Sequence, residues 1–540
     1  MSDILKYCAC AMCLWLCCAL FAGAASSKAV FVVAADTPES LDLARYYCAE
    51  RGVPQANIII LKLPKNCGFV SRKTYLEKIE KPVFDALASR GGISATFLGA
   101  DDALGRPAAL FSRVNLDFLV ICKGVPWGIL SPRKEKKNSP DTETASVDGE
   151  IAARFLPRKS FNGFVKNPSF GISGEAWRVC GIVRTARLDG ASFADAKNLV
   201  SSAKAAEKRG LRGRVYIDKS RYAPLGDKWL DEAAKILSAQ GFDVSVESAR
   251  RLMGYGDRAD AVAVYFGWYA ASAYGWFASP EFRCADGMIG WHIYSFSAHN
   301  FADARKWTPA IVSKNAAATD GNVFEPFLPF SRNIDVFARM VFAEKMTPAE
   351  AAYAALPVLG WQNVYVGDPL YNPHSVPLDA QIAEVDAGNV DALSQYSLIR
   401  KANLISAESG AVQAVEFLQK YAGKVPDTAL LWRIAQLSGD ADKSAKTARL
   451  LLGRSIHNSA AHAGLAFELA EYLERRGDAS AMLGLCAAVV RAHPDDFPLK
   501  LYAARRAKRS AEKFSADLPR EFSEIISEAD RAAAAKKSRK

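Results

Sequence analysis

The sequence predicts an α/β fold with a mostly parallel sheet, followed by an all-α repeat region, and three observations carry that reading. From residue 29 to about 373, short β-branched runs alternate with amphipathic helical runs. Those short runs are apolar on both faces, which suits a parallel sheet covered by helices on each side. From about residue 391 strand signals vanish, alanine and leucine dominate, and helices come in pairs.

Element by element, Ala29-Val30-Phe31-Val32-Val33 is the first strand, and Ser40 to Tyr47 follows at helical spacing. Further strands are read at Asn57–Ile60, Phe118–Ile121, Gly213–Asp218, Ala261–Tyr265, Met288–Tyr294 and Gln362–Val366. Trp229–Gln240 and Asn333–Glu344 carry the 3.6-residue period of covering helices. A polar loop spans about 131–147, soon after the strand that ends at Cys122. Residues 28–376 are therefore one α/β unit, long enough to be self-sufficient.

The helical pairs begin near Asp391, Asp427, Asn458 and Asp496, at spacings of 36, 31 and 38 residues. Their mean is about 35, close to the tetratricopeptide period. Residues 390–512 resemble the tetratricopeptide-like helical repeats, with degenerate repeats that lack a recurring Trp, Gly and Tyr set. Such arrays offer a surface to a protein or peptide partner. The segment 513–540 is a helical, basic tail, and its last ten residues hold Arg531, Lys536, Lys537, Arg539 and Lys540 with no acid among them. That tail can meet an anionic surface or simply stay solvated; no nucleic-acid partner is expected.

Lys6, an uncharged run from Tyr7 to Phe21, and Ala22-Gly23-Ala24 form a signal-peptide layout over residues 1–24. The chain is thus expected to be an exported bacterial protein of the periplasm, cell envelope or exterior. After removal of that segment no other run is apolar enough to span a bilayer. Five of the eleven cysteines leave with it; Cys48, Cys67, Cys122, Cys180, Cys284 and Cys486 remain. They show no CxxC pair and no metal-ligand spacing, so no metal or cofactor is expected.

In a parallel sheet, residues just past the strand ends share one rim, where α/β proteins build sites. That rim is expected to gather Lys123, Asp218, Trp268, Tyr269, Ser295, Ser297, His299 and Asp368, with Asp148, Asp189 and Glu325 nearby. The carboxylates there, with Glu150, suffice for a divalent metal or a sugar-cleaving pair. Asp189 and Asp368 also sit in Leu-Asp-Gly and Gly-Asp-Pro, where aspartate closes turns. Lys123 fits an anionic ligand or a solvated strand end. The aromatic-rich stretch Tyr265–Phe277 fits either stacking on sugars or peptides, or plain packing.

The series Val264–Tyr269, Ser295-Phe296-Ser297-Ala298, Ala316–Gly321 and Val366–Leu370 resembles the gingipain-type, caspase-like cysteine peptidases over about 210–373. The resemblance implies a base after one strand and a cysteine nucleophile after the next. Here Trp268 stands at the base position and Ser295 or Ser297 at the nucleophile position. A wider set of phrases resembles an uncharacterised family of exported bacterial proteins: Lys123-Gly124-Val125-Pro126, Ser146-Val147-Asp148, Arg187–Gly190, Gly267-Trp268-Tyr269, Ser295–Ala298, Glu325-Pro326 and Gly367–Leu370. A serine needs an oriented base. His292 lies within a strand and points away from Ser295 and Ser297, and His299 approaches Ser297 only if the turn folds back. Two readings follow. One is a catalytically degenerate peptidase relative that binds or assembles at the envelope. The other is a hydrolase using Ser297 or a carboxylate pair.

Overall fold

The structure is a computed structural model that describes residues 29–64, 67–131, 143–247 and 252–538. The signal-peptide segment, residues 132–142 of the polar loop, and Arg539 and Lys540 lie outside the described residues.

One ten-stranded sheet organises the α/β region. Its strands in chain order are β1 (Val30–Ala35), β2 (Ile58–Leu61), β3 (Phe118–Cys122), β4 (Thr185–Leu188) and β5 (Arg214–Asp218). Then come β6 (Val244–Glu247), β7 (Val262–Trp268), β8 (Met288–Ile293), β9 (Ala316–Asn322) and β10 (Asn363–Gly367). The spatial order is β6-β5-β7-β8-β9-β10-β4-β3-β1-β2. Every neighbouring pair is parallel except β9 with β10. The sheet is thus two five-stranded parallel halves running in opposite directions, joined along an antiparallel seam. Each half repeats one winding: β2-β1-β3-β4 in the first, β6-β5-β7-β8 in the second.

The first half is covered on both faces by its own helices. Helix α1 (Pro38–Arg51) buries Leu43, Ala44 and Tyr47 against Val30, Val32 and Ala34. Helices α2 (Lys81–Ser89) and α3 (Val147–Ala152) bury Val83, Phe84 and Ile151 against Phe31, Val33 and Ile121 on the other face. Helix α4 (Phe193–Arg209) starts on a reciprocal Ser192–Asp195 capping box and packs on the α1 face.

The second half covers one face with its own helices and the other only in part. There α5 (Pro224–Ala239) and a later helix cover Val215, Ile217, Phe266 and Trp291 with Trp229, Leu230 and Phe337. The opposite face shows Tyr216, Val262, Tyr265 and Met288. Helix α6 (Trp307–Ser313) covers part of it with Trp307 and Ile311. The β7–β8 connection holds only a short 3-10 turn, Gly275–Ala278. Its Trp276, Phe277 and Phe282, with Tyr255 from the β6–β7 connection, form a loop layer over the sheet.

The C-terminal region closes that layer. After a helix at Leu378–Asp386 come α7 (Ser394–Ser409), α8 (Ala411–Gln419), α9 (Thr428–Ser438), α10 (Ala441–Gly453), α11 (Ala460–Arg475), α12 (Ala479–Ala492), α13 (Phe497–Phe514) and α14 (Arg520–Ser538). The first helix of each pair starts within three residues of Asp391, Asp427, Asn458 and Asp496. Ala463, Phe467, Ala470, Leu499 and Ala503 join the same apolar cluster as Tyr255, Trp276 and Phe282. Docking is close at two glycines. A Cβ on Gly464 would lie 2.1 Å from the Asp257 carbonyl oxygen, and one on Gly256 would lie 1.7 Å from the Tyr502 hydroxyl. Tyr396 donates to Asp260 at 2.7 Å, and Ser279 donates to Asp496. Helices α7, α11 and α13 thus turn one face to the chain's own α/β region. The expectation of a self-sufficient unit over 28–376 meets a core shared across that boundary. Among the described residues no helix is long and apolar enough to cross a membrane.

Candidate functional site

The expected single rim is two rims. Because β9 and β10 are antiparallel, the carboxyl ends of the halves face opposite edges of the sheet. Lys123, Asp189 and Asp368 lie at the first half's edge. Asp218, Trp268, Tyr269 and Ser295 lie at the second's.

At the first edge the charges satisfy one another. Lys123 Nζ donates to Asp189 Oδ1 at 3.0 Å and to the Gly190 carbonyl at 2.6 Å. Asp189 also accepts from the Gly190 amide at 2.8 Å. Asp148 is held by the fully buried Arg187 at 2.5 Å, and that guanidinium also donates to the Val125 and Pro126 carbonyls. Asp368 accepts from Arg51 Nε at 2.5 Å and from the Leu370 amide at 3.0 Å, the latter across a turn. Burial raises the Asp368 pKa, with Arg51 opposing. Glu150 pairs with Arg72 and Arg158 at 3.0 and 2.9 Å. Among the described residues no three His, Cys, Asp or Glu side chains gather as a metal would need.

The second edge has a switch point between β5 and β7, the usual place for a ligand crevice in a wound α/β sheet. Trp268 is buried, turns toward α5, and donates from Nε1 to Asp227 Oδ1 at 2.9 Å. Gly226 is required beneath it, since a Cβ there would come within 2.4 Å of the indole. Tyr269 stacks on Tyr222 with centroids 4.3 Å apart and an interplanar angle of 14°, and touches Tyr294 at 4.6 Å. Tyr222 is 67% exposed, so the outer face of the stack is open to solvent.

Ser295 donates to Glu325 Oε2 at 2.5 Å, and Glu325 Oε1 accepts from the Phe327 amide at 3.0 Å. Phe296 and Phe327, which flank this pair, both have φ of 60°. That left-handed geometry costs an L-residue about 1–2 kcal/mol and concentrates at functional sites. Ser297 is buried, and its Oγ accepts from the Asn322 amide at 2.9 Å. His299 Nδ1 lies 2.8 Å from the Val323 carbonyl, which makes that nitrogen the donor. Among the described residues no hydrogen bond joins either serine to an imidazole.

On the loop-covered face, a chain of buried polar groups runs through three strands. Asp218 Oδ1 accepts from the Met253 amide at 2.9 Å, and Oδ2 accepts from the Tyr265 hydroxyl at 3.1 Å. That hydroxyl is 2.9 Å from His292 Nδ1, and His292 Nε2 accepts from the Ala270 amide at 3.1 Å. Burial raises the Asp218 pKa to about 7 and pushes His292 well below 6.5. Cys122 and Cys284 are buried, and desolvation raises both thiols far above the usual range. Neither is poised as a thiolate.

Tyr222, Tyr294, Asp227 and Arg187 were not among the sequence-derived candidates. Tyr294 lies one residue before a candidate serine, and Tyr222 in the loop after β5, so adjacency to strand ends was the available signal. Arg187 sits inside a strand, where an isolated cation marks a buried pair. No family model matches the chain, and no curated protein matches it. A solved structure described as that of a protease is similar at a TM-score of 0.36 and 10% identity, over 64% of this chain and 78% of that one.

Proposed function

We propose that the chain is an exported, non-catalytic binding protein. In this reading it is a relative of caspase- and gingipain-like peptidases whose catalytic positions have passed to structural contacts. One observation carries the reading. The serines, histidines and tryptophan of the second edge are engaged in hydrogen bonds, whereas the Tyr222–Tyr269 stack beside them, with Tyr294 at its flank, is exposed at Tyr222. Stacked tyrosines present a rigid apolar face with polar tips, suited to a sugar or peptide. The helical array acts first as a scaffold for this edge, and its outer helices and basic tail remain for assembly at the envelope.

The test pairs activity with binding. The mature chain should hydrolyse no peptide and take no label from thiol-directed or fluorophosphonate probes. A glycan and peptide screen read by tyrosine fluorescence should yield a ligand whose signal Tyr222→Ala abolishes. The second reading, a hydrolase, is favoured only by the short Ser295–Glu325 contact at the same edge. Hydrolysis that disappears in Ser295→Ala would establish it instead. N-terminal sequencing from the native host should find the mature chain beginning at Ala25 or Ser26.

A further inference from the structure

The peptide of Ala270, directly after the platform residue Tyr269, is held from both sides. Its N–H donates to His292 Nε2, and its carbonyl accepts from Trp307 Nε1 at 2.9 Å. The His292 ring lies flat on Trp307, with centroids 3.6 Å apart and planes 8° apart. With Asp218 ionised, donor logic fixes the protons in the chain. An amide can only donate, so Nε2 accepts and the imidazole proton sits on Nδ1. Nδ1–H donates to the Tyr265 oxygen, and the Tyr265 hydroxyl donates to Asp218. His292, Tyr265 and Asp218 are 2%, 1% and 0% exposed, so none of them faces a ligand. Their contacts instead end on two loop amides, Ala270 and Met253.

We infer that His292 is the positioning residue of the tyrosine platform: a latch that holds Ala270, and through it Tyr269, only while its imidazole is neutral. The inference rests on the binding reading for its consequence, although the latch itself can be measured without a ligand. Protonation puts a hydrogen on Nε2, two donors then face each other, and Ala270 must move away. Burial keeps the imidazole neutral through ordinary pH, so release belongs to acid conditions.

The charged surroundings are few. From the sheet, Asp218 reaches the ring through Tyr265, with Asp257 and Glu247 acting on Asp218 and Tyr274 on Tyr265. From the covering side comes α6 with Trp307, preceded by Lys306 and by Arg305, which pairs with Asp303 at 2.8 Å.

Amide hydrogen exchange of the full chain, corrected for the intrinsic pH dependence, tests the latch. Peptides covering 269–274 should lose protection as pH falls well below 6.5, while those covering β9 keep theirs. His292→Gln, which accepts through its amide oxygen and does not titrate, should hold protection flat across the same range. Should that variant fail to fold, nitrogen-15 shifts of His292 in the unaltered chain decide instead. A neutral ring with its proton on Nδ1 at pH 7 supports the latch, and one with its proton on Nε2 overturns it. Protection at 269–274 that ignores the titration of His292, or that keeps its pH dependence in His292→Gln, also overturns it. Failure to find any ligand would count against the binding reading and leave these outcomes untouched.

Discussion

The two halves of the sheet wind alike yet are finished differently. In the first, crossover helices cover both faces, and charged groups at the carboxyl edge neutralise one another around Arg187, Arg51 and Lys123. In the second, the β7–β8 connection and the described part of the β6–β7 connection supply loops in place of helices. One face therefore borrows much of its cover from the C-terminal array. A parallel strand apolar on both sides needs both faces covered, and it does not matter from where in the chain the cover comes. The borrowed side is also where the polar chain lies, with Tyr294 and Ala270 at its end, whereas Tyr269 packs against the α5 side. The cover over that chain thus comes in part from helices more than 150 residues away in sequence.

Removing the array should give the largest effect. A chain ending at residue 376 uncovers Tyr255, Trp276, Phe277 and Phe282, each worth roughly 1.5–3 kcal/mol of burial. It is expected to bind a hydrophobic dye and to lose near-UV ellipticity, with exchange protection lost first in β5, β7 and β8. A native-like spectrum with uniform protection would mean that the second half, like the first, is covered well enough by its own elements.

Next in size is the buried pair of the first half. Replacing Arg187 by leucine strands Asp148 in the core and should cost about 3–5 kcal/mol in denaturant unfolding. Because that half has its own helices, exchange at residues 269–274 should be unchanged by it.

Gly464→Ala sharpens the interface itself. Its new methyl meets the backbone at Asp257 rather than a side chain that could swing aside, so a loss of about 1–3 kcal/mol is expected. An equally stable variant would mean that the array sits less closely than the contact distances imply.

A smaller effect is the pH dependence set by Asp218. A carboxyl whose folded pKa is raised binds its proton more tightly folded than unfolded, so stability falls as pH rises from 3.8 to about 7. This single group contributes at most about 1.4 kcal/mol per pH unit over that window. Asp218→Asn should flatten that part of the stability profile relative to the unaltered chain. The smallest change is Tyr222→Ala, within about 0.5 kcal/mol in stability, since the ring is largely in solvent, yet it should remove binding at the second edge.

Much of this was legible in the chain. Runs apolar on both faces announced a parallel sheet, and an alanine-rich 3.6 period announced the paired helices, because both signals are local periodicities of burial. The aromatic run 265–277 proved to be mixed. Tyr265, Trp276 and Phe277 pack in the core, whereas Tyr269 stands at the open edge. Asp368 bonds the Leu370 amide across the turn at Pro369, whereas Asp189 is taken up by Lys123 and the adjacent Gly190 amide.

The local pattern marked seven of the ten strands and the paired helices, since each depends on a few neighbouring side chains; Thr185–Leu188, Val244–Glu247 and Ala316–Asn322, short or rich in small and polar residues, were not read as strands. Strand direction was decided only in three dimensions. Nothing local distinguishes a tenth strand that enters parallel from one that enters antiparallel, and that single choice sent Lys123 and Asp368 to the edge opposite Ser295. The fate of the helical array was likewise a tertiary matter. Its inner face is apolar whether it meets a partner or its own chain, and what settles the outcome is a sheet face only partly covered by helices of its own.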